Sequence, residues 1–238
     1  LKFSDTGVLF AGDNLSGSII AIDLSQESKT ADGFEINVYD IDAKIAAVLG
    51  TVQENIRIHD LAVHPLSGEV YLSISRGKGR DAFPALLKVD AANQIQHVDL
   101  SMLEITTQAL HNLPDHNRRV ALRGTGSAPT QKEIAKSKES LRTLSIVSIE
   151  YHEGELFVAG ITNEEFCSVL RRMPYPFNGK ESISQIEMYH IVHDTYENRA
   201  PIRSMVVKHI AGKKQLIAAY TCSPLVLIPL EELTDKAK

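Results

Sequence analysis

The sequence contains no tryptophan and only two cysteines, Cys167 and Cys222. Without tryptophan the chain cannot carry a tryptophan-derived quinone, and it lacks the Trp-Asp dipeptide that marks ordinary WD40 repeats. Two cysteines are too few for a disulfide scaffold or for a zinc ribbon or finger with four close ligands. The Cys-x-x-Cys-His motif of c-type haem attachment is also missing, so any redox centre would belong to another chain.

Long apolar runs and excess positive charge are absent as well. No stretch of about 18 apolar residues occurs, so we expect no membrane span. The chain has 25 basic and 30 acidic residues, a formal net charge of −5. Affinity for phosphate backbones depends on clustered Lys and Arg, so this balance argues against a nucleic-acid partner.

What the sequence does contain is a repeat of short β-rich segments. Apolar bursts at 8–12, 70–74, 156–160 and 216–220 are each preceded by a polar turn that includes glycine. Most recur at about 60-residue intervals, a period typical of repeat architectures. We interpret each burst as the second strand of a unit.

The other strands of each unit follow from the same pattern. Innermost strands are predicted near 56–64, 144–152 and 202–210, and a third apolar segment follows every burst. Weaker fourth strands fit 34–38, 95–100 and 183–191. Four antiparallel strands in a meander form the blade of a β-propeller.

Several phrases resemble the extracytoplasmic propellers of the NHL, YVTN and SMP-30-like kind. They are Gly-Val-Leu-Phe-Ala-Gly-Asp-Asn at 7–14, Gly-Ser-Ile-Ile-Ala-Ile-Asp at 17–23, and His64-Pro65 followed by 68–71. The resemblance implies an all-β propeller with four recognisable four-stranded blades, part of a six- to eight-bladed ring. It also implies a periplasmic or extracellular location, although the chain shows no signal peptide.

The whole chain, 1–238, is therefore predicted to be a single propeller domain. Its blades are expected at about 1–40, 56–100, 144–192 and 202–230. Ala-rich residues 41–50 predict a short helix capped by glycine, and 101–143 is expected to be an irregular insertion across the loop-rich rim. The last unit lacks a fourth strand, so we expect further sequence or another chain to complete the ring.

Candidate binding residues are those predicted for the rim where binding loops of a propeller cluster. They are His59, Asp60, Asn163, Glu164 and Arg203. Carboxylate and amide oxygens there suit a structural or channel Ca²⁺, with Asp60 as the metal ligand, and the histidine suits acid–base work. The alternative is that Asp60 and Arg203 only satisfy exposed strand ends.

Three classes of function remain open at this point. The preferred hypothesis is a non-catalytic binding or scaffold propeller that takes a protein or small ligand at the rim, because no catalytic motif or cofactor fingerprint is present. The resemblance supplies an alternative, a metal-dependent hydrolase or lactonase. A supporting subunit of a redox complex is the third. The two cysteines are expected to be free thiols in neighbouring blades.

Overall fold

A computed structural model describes residues 1–27, 34–79, 82–118, 140–163, 168–185, 188–190, 194–197, 201–220 and 225–233. Strands make up 49% and helices 12% of this structure. The expectation of an all-β protein is therefore confirmed. Among the described residues, no helix has the length and apolar character that crossing a membrane requires. Cys167, Cys222 and Glu164 lie outside the described residues.

Seventeen strands and one α-helix can be assigned within these ranges. The strands are β1 (Lys2–Phe3), β2 (Val8–Asp13), β3 (Ser18–Asp23), β4 (Ile56–Val63), β5 (Val70–Arg76), β6 (Phe83–Val89), β7 (Ile95–His97), β8 (Ile105–Ala109), β9 (Ser148–His152), β10 (Glu155–Ile161), β11 (Ser168–Pro174), β12 (Ser182–Gln185), β13 (Met188–His190), β14 (Thr195–Glu197), β15 (Ile202–Ile210), β16 (Lys213–Tyr220) and β17 (Val226–Pro229). The helix is α1 (Ile41–Val48), and 3-10 turns lie at Gln53–Asn55, Leu100–Met102, Leu141–Leu144 and Leu230–Glu232.

Most strands form antiparallel meanders, as the repeat predicts. Sheet 2 has the order β4-β5-β6-β7, sheet 3 the order β9-β10-β11-β12, and sheet 4 the order β15-β16-β17. A separate ribbon pairs β13 with β14. The three innermost strands predicted from the sequence coincide with β4, β9 and β15. The number of blades and the closure of a ring stay predictions.

Sheet 1 differs from the expected meander. Its order is β1-β2-β3-β8, so the outer strand comes from 105–109 and not from the predicted 34–38. The 34–38 segment instead lies beside Asn93, whose side chain accepts a hydrogen bond from Asn37 N at 2.6 Å and donates one to Glu35 O at 3.1 Å. The Asn93 side chain thus bonds to backbone groups of 34–38 that would otherwise pair with a neighbouring strand.

The same strand corrects the prediction for 101–143. β8 lies inside this segment and belongs to a sheet, so the segment is not wholly an irregular insertion. Residues 119–139 lie outside the described ranges. The fourth strand predicted at 183–191 is also shorter than expected, because β12 ends at Gln185 and 188–190 joins the ribbon.

Helix α1 confirms the prediction for 41–50. Ile45 is fully buried and packs with Leu72, Ile74 and Leu87 of sheet 2. Gly50 follows the helix with φ of 60°, a conformation that residues with a Cβ seldom adopt, and its N–H bonds to the Ala47 carbonyl at 3.2 Å.

The chain divides into two compact units. Unit 1 contains 1–11 and 21–106, and unit 2 contains 12–20 and 107–238, so the division runs through sheet 1. The core of unit 1 lies on sheet 2 beneath α1. The main core of unit 2 lies between the facing side chains of sheets 3 and 4 and includes Phe157, Leu170, Val207 and Leu216. The single-domain expectation stays a prediction.

Candidate functional site

Two of the predicted site residues lie in unit 1, on strand β4. The β4–β5 register shifts between Ile58 and Asp60, which makes His59 the bulged residue. The His59 ring is hydrogen-bonded to Ser75 Oγ at 2.5 Å, and burial is the main cause that lowers its pKa. Asp60 Oδ1 accepts a hydrogen bond from Leu61 N at 2.8 Å.

Two more predicted residues lie in unit 2. Arg203 is exposed at the position where the β15–β16 register shifts, between Ile202 and Ser204, which repeats the bulge of β4. Asn163 accepts hydrogen bonds from the Arg118 guanidinium through its backbone carbonyl at 2.8 Å and through its side-chain oxygen. The proposed assignment of these residues to one binding site stays a prediction.

The His64 motif of the sequence forms a structural anchor in unit 1. His64 is fully buried, and its Nδ1 accepts the Ser67 N–H at 3.0 Å. Its other ring nitrogen therefore carries the proton and donates to Leu24 O at 3.2 Å. Burial lowers the pKa of His64, and the Phe3 ring packs edge-on against it at 5.0 Å.

A partly buried ion network lies beside this histidine. Lys88 Nζ lies 3.2 Å from both Glu27 Oε1 and Glu69 Oε2, and Tyr71 donates to Glu27 at 3.1 Å. Burial disfavours the Lys88 ammonium, but its hydrogen bonds to the two glutamates outweigh burial and raise its pKa. Burial also raises the pKa of the Tyr71 hydroxyl. Every charged group here has a protein partner, so the network serves the fold.

A cleft of about 370 Å³ lies in unit 2, where the β9–β10 and β15–β16 hairpins end. Both hairpins turn through two residues with positive φ, 47° and 83° at Glu153-Gly154 and 50° and 79° at Ala211-Gly212. This is the type I′ geometry that matches strand twist, and glycine adopts it readily. The cleft is lined by His152, Glu153, Glu155, Phe157, Gly212, Lys213, Lys214, Leu230 and Glu231.

Strand register places polar and apolar groups of the cleft on one face of sheet 3. Glu155 lies directly opposite His152 across the turn, so the two side chains share a face. Phe157, two residues along β10, lies on that same face and belongs to the core. The His152 ring lies 6.0 Å from the ring of His209 on sheet 4.

Charge in the cleft is only partly compensated. Lys214 pairs with Glu153, and Lys213 Nζ lies 2.8 Å from Glu231 Oε1. The hydrogen bond from Lys214 is the main cause that lowers the pKa of Glu153. The Glu155 carboxylate has no hydrogen-bond or ion-pair partner among the described residues, although its backbone belongs to the sheet. His152 Nε2 is buried, makes no hydrogen bond, and lies 3.5 Å from Glu153 Oε1.

Sequence reasoning did not identify this cleft. It expected ligands at the loop-rich rim, whereas the cleft lies at the tight turns of the β9–β10 and β15–β16 hairpins. The usable signal was the charge around each turn glycine, Glu-Gly-Glu at 153–155 and Gly-Lys-Lys at 212–214. We interpreted these turns only as the tight turns that connect the strands of a hairpin.

The described ranges contain no group of three His, Cys, Asp or Glu side chains arranged to hold a metal ion. The Ca²⁺ expected at Asp60 stays a prediction. Neither a scan of protein-family models nor searches of curated proteins and of solved structures find a match to this chain. The likeness to propeller families therefore stays a prediction from sequence.

Proposed function

We propose that this chain is a non-catalytic binding β-propeller and that it takes its ligand in the cleft of unit 2. Repeated antiparallel meanders support the propeller architecture, because sheets 2, 3 and 4 reproduce the strand order of blades. The sequence resemblance supports it independently. The expected periplasmic or extracellular location remains part of this proposal.

The cleft itself carries the proposal of binding. Its volume of about 370 Å³ lies within the range of small-ligand sites, which are typically about 300–1,000 Å³. The partly exposed Leu230 provides an apolar side, and Glu155 provides a carboxylate that has no side-chain partner among the described residues. A few convergent polar groups beside an apolar wall are what fixes a ligand's orientation.

The state of the two lysines and the histidine of the cleft favours binding over catalysis. Lys213 and Lys214 are both paired with glutamates, and the hydrogen bond to Glu231 raises the pKa of Lys213, which disfavours the neutral amine that a base or nucleophile requires. His152 faces Glu155 across the turn but has its Nε2 buried, away from an incoming ligand. A general base must reach the proton that it abstracts, and the burial of Nε2 works against this role for that nitrogen.

A fragment screen by ¹H–¹⁵N NMR tests this proposal. The library holds cationic, anionic and neutral fragments in equal number, and the readout is the amide shifts of the 152–155 and 210–214 hairpins. We expect a subset of fragments to move these amides in a saturable way. A screen in which no fragment moves either hairpin would refute binding in the cleft.

A further inference from the structure

We infer that the ligand group held in this cleft is a cation on an aliphatic stem, an ammonium or guanidinium carried by about four carbons, as in lysine. The inference rests on the proposed binding function and names the class of ligand. Its basis is the charge left over in the cleft, together with the order of groups along strand β10.

The leftover charge is negative. Three carboxylates, two ammonium groups and the His152 imidazole line the cleft, and the Nε2 atom of that imidazole is buried. Glu153 and Glu231 each have a lysine partner, which leaves Glu155 without a counter-charge among the described residues. A cation pairs with Glu155 and breaks no existing contact. An anion could use the remaining N–H donors of the two lysines, but it would lie beside three carboxylates and only two ammonium groups, which makes its net electrostatic interaction unfavourable.

The positions of Glu155 and Phe157 along strand β10 then indicate the shape of the ligand. Glu155 and Phe157 are two residues apart on one strand face, a separation of about 6.6 Å at 3.3 Å per residue. A cation bound to Glu155 therefore has an apolar wall about one side-chain length away. Phe157 is itself only 1% exposed and closes the inner side of the cleft, so a short alkyl stem fits along the partly exposed Leu230, where it removes apolar surface from water.

Two sources could present this group, a free alkylamine or a lysine side chain of a partner protein. Both share the ammonium and the four-carbon stem, so both fit the cleft. The capped amino acid Nα-acetyl-lysine N-methylamide and n-butylammonium separate them, because only the former adds peptide groups at the mouth.

The test is an NMR titration with three four-carbon probes, n-butylammonium, butanoate and 1-butanol. We expect n-butylammonium to bind at least about tenfold more tightly than 1-butanol, since charge-assisted hydrogen bonds are about twice as strong as neutral ones. Butanoate should bind most weakly. Glu155→Gln should lower the n-butylammonium affinity about tenfold, whereas Glu54→Gln, an exposed glutamate of unit 1, should leave it unchanged.

The wild-type probe series does not depend on any variant folding, so it decides the question alone. Butanoate binding as tightly as n-butylammonium, or equal affinities for all three probes, would overturn the inference while leaving the cleft a binding site. If no probe and no library fragment moves the hairpins, the proposed function itself fails. Tighter binding of the capped lysine than of n-butylammonium supports a protein partner, and equal binding supports a free amine.

Discussion

Replacing Glu181 by glutamine should destabilise unit 2 strongly, because this carboxylate is the counter-charge of a buried guanidinium. Arg171 Nη1 lies 2.6 Å from Glu181 Oε1, and the two side chains are 0% and 1% exposed. Glu181 Oε2 also accepts the backbone N–H of His111 at 2.9 Å. Glutamine keeps the shape and one oxygen but removes the charge.

The expected loss of unfolding free energy follows from the burial of Arg171 and Glu181. Removing one partner of a buried ion pair costs about 3–5 kcal/mol, because the other charge is left in a low-dielectric interior. Arg171 is poorly placed to absorb the loss, since its Nε and Nη2 atoms are already buried without hydrogen bonds. We expect about 3 kcal/mol, which lowers the urea midpoint by about 1 M for an m-value of about 3 kcal/mol/M.

Urea unfolding followed by far-UV circular dichroism measures this change. The matched control is Glu231→Gln, which breaks a pair of similar length, 2.8 Å, whose side chains are 60% and 63% exposed. Exposed pairs add little, so the control midpoint should stay unchanged. The double variant Arg171→Met/Glu181→Leu should recover most of the lost stability, because it leaves no unpaired charge. Equal midpoints for Glu181→Gln and Glu231→Gln would refute the reasoning.

Three further predictions concern the fold. Burial lowers the pKa of His64 below its unfolded value of about 6.5, so the folded state favours the neutral ring. The stability that this neutral ring contributes is present above a pH of about 6.5 and is lost as the pH falls. His64→Gln should therefore make the urea midpoint decline less between pH 7.5 and pH 5.5. Gly160→Ala should cost about 1–3 kcal/mol of unfolding free energy, because its Cβ would collide with the Ser145 carbonyl oxygen; an unchanged thermal midpoint of this variant would contradict this packing. Lys88→Met should lower the thermal midpoint, because it leaves two partly buried glutamates facing each other; an unchanged midpoint would show that this network contributes nothing.

The regular parts of the fold could be predicted because their signals are local. Alternating apolar residues and a glycine turn define each hairpin, and the innermost strands were placed near 56–64, 144–152 and 202–210 from those signals alone. The signal for the helix at 41–50 was also local, because it consists of the spacing of apolar residues and a glycine at the C-terminal end. Each of these elements needs only neighbouring residues to satisfy its backbone.

The errors arose where pairing is remote in sequence. Strand β8 joins sheet 1 from far downstream, and nothing in Ile-Thr-Thr-Gln-Ala specifies that partner. The 34–38 segment has apolar residues suited to a strand, yet Asn93 takes hydrogen bonds of its backbone. The cleft escaped notice for a similar reason, since its two charged turns lie about 60 residues apart and only the packing of sheet 4 against sheet 3 brings them together.

Crystals of the chain soaked with n-butylammonium test the central claim most directly. The account predicts the ammonium nitrogen within about 3.2 Å of a Glu155 carboxylate oxygen, with the butyl chain along Leu230. The Lys214–Glu153 and Lys213–Glu231 pairs should remain intact. A ligand bound at another site while the cleft stays empty, or one in the cleft whose nitrogen points away from Glu155, would contradict it.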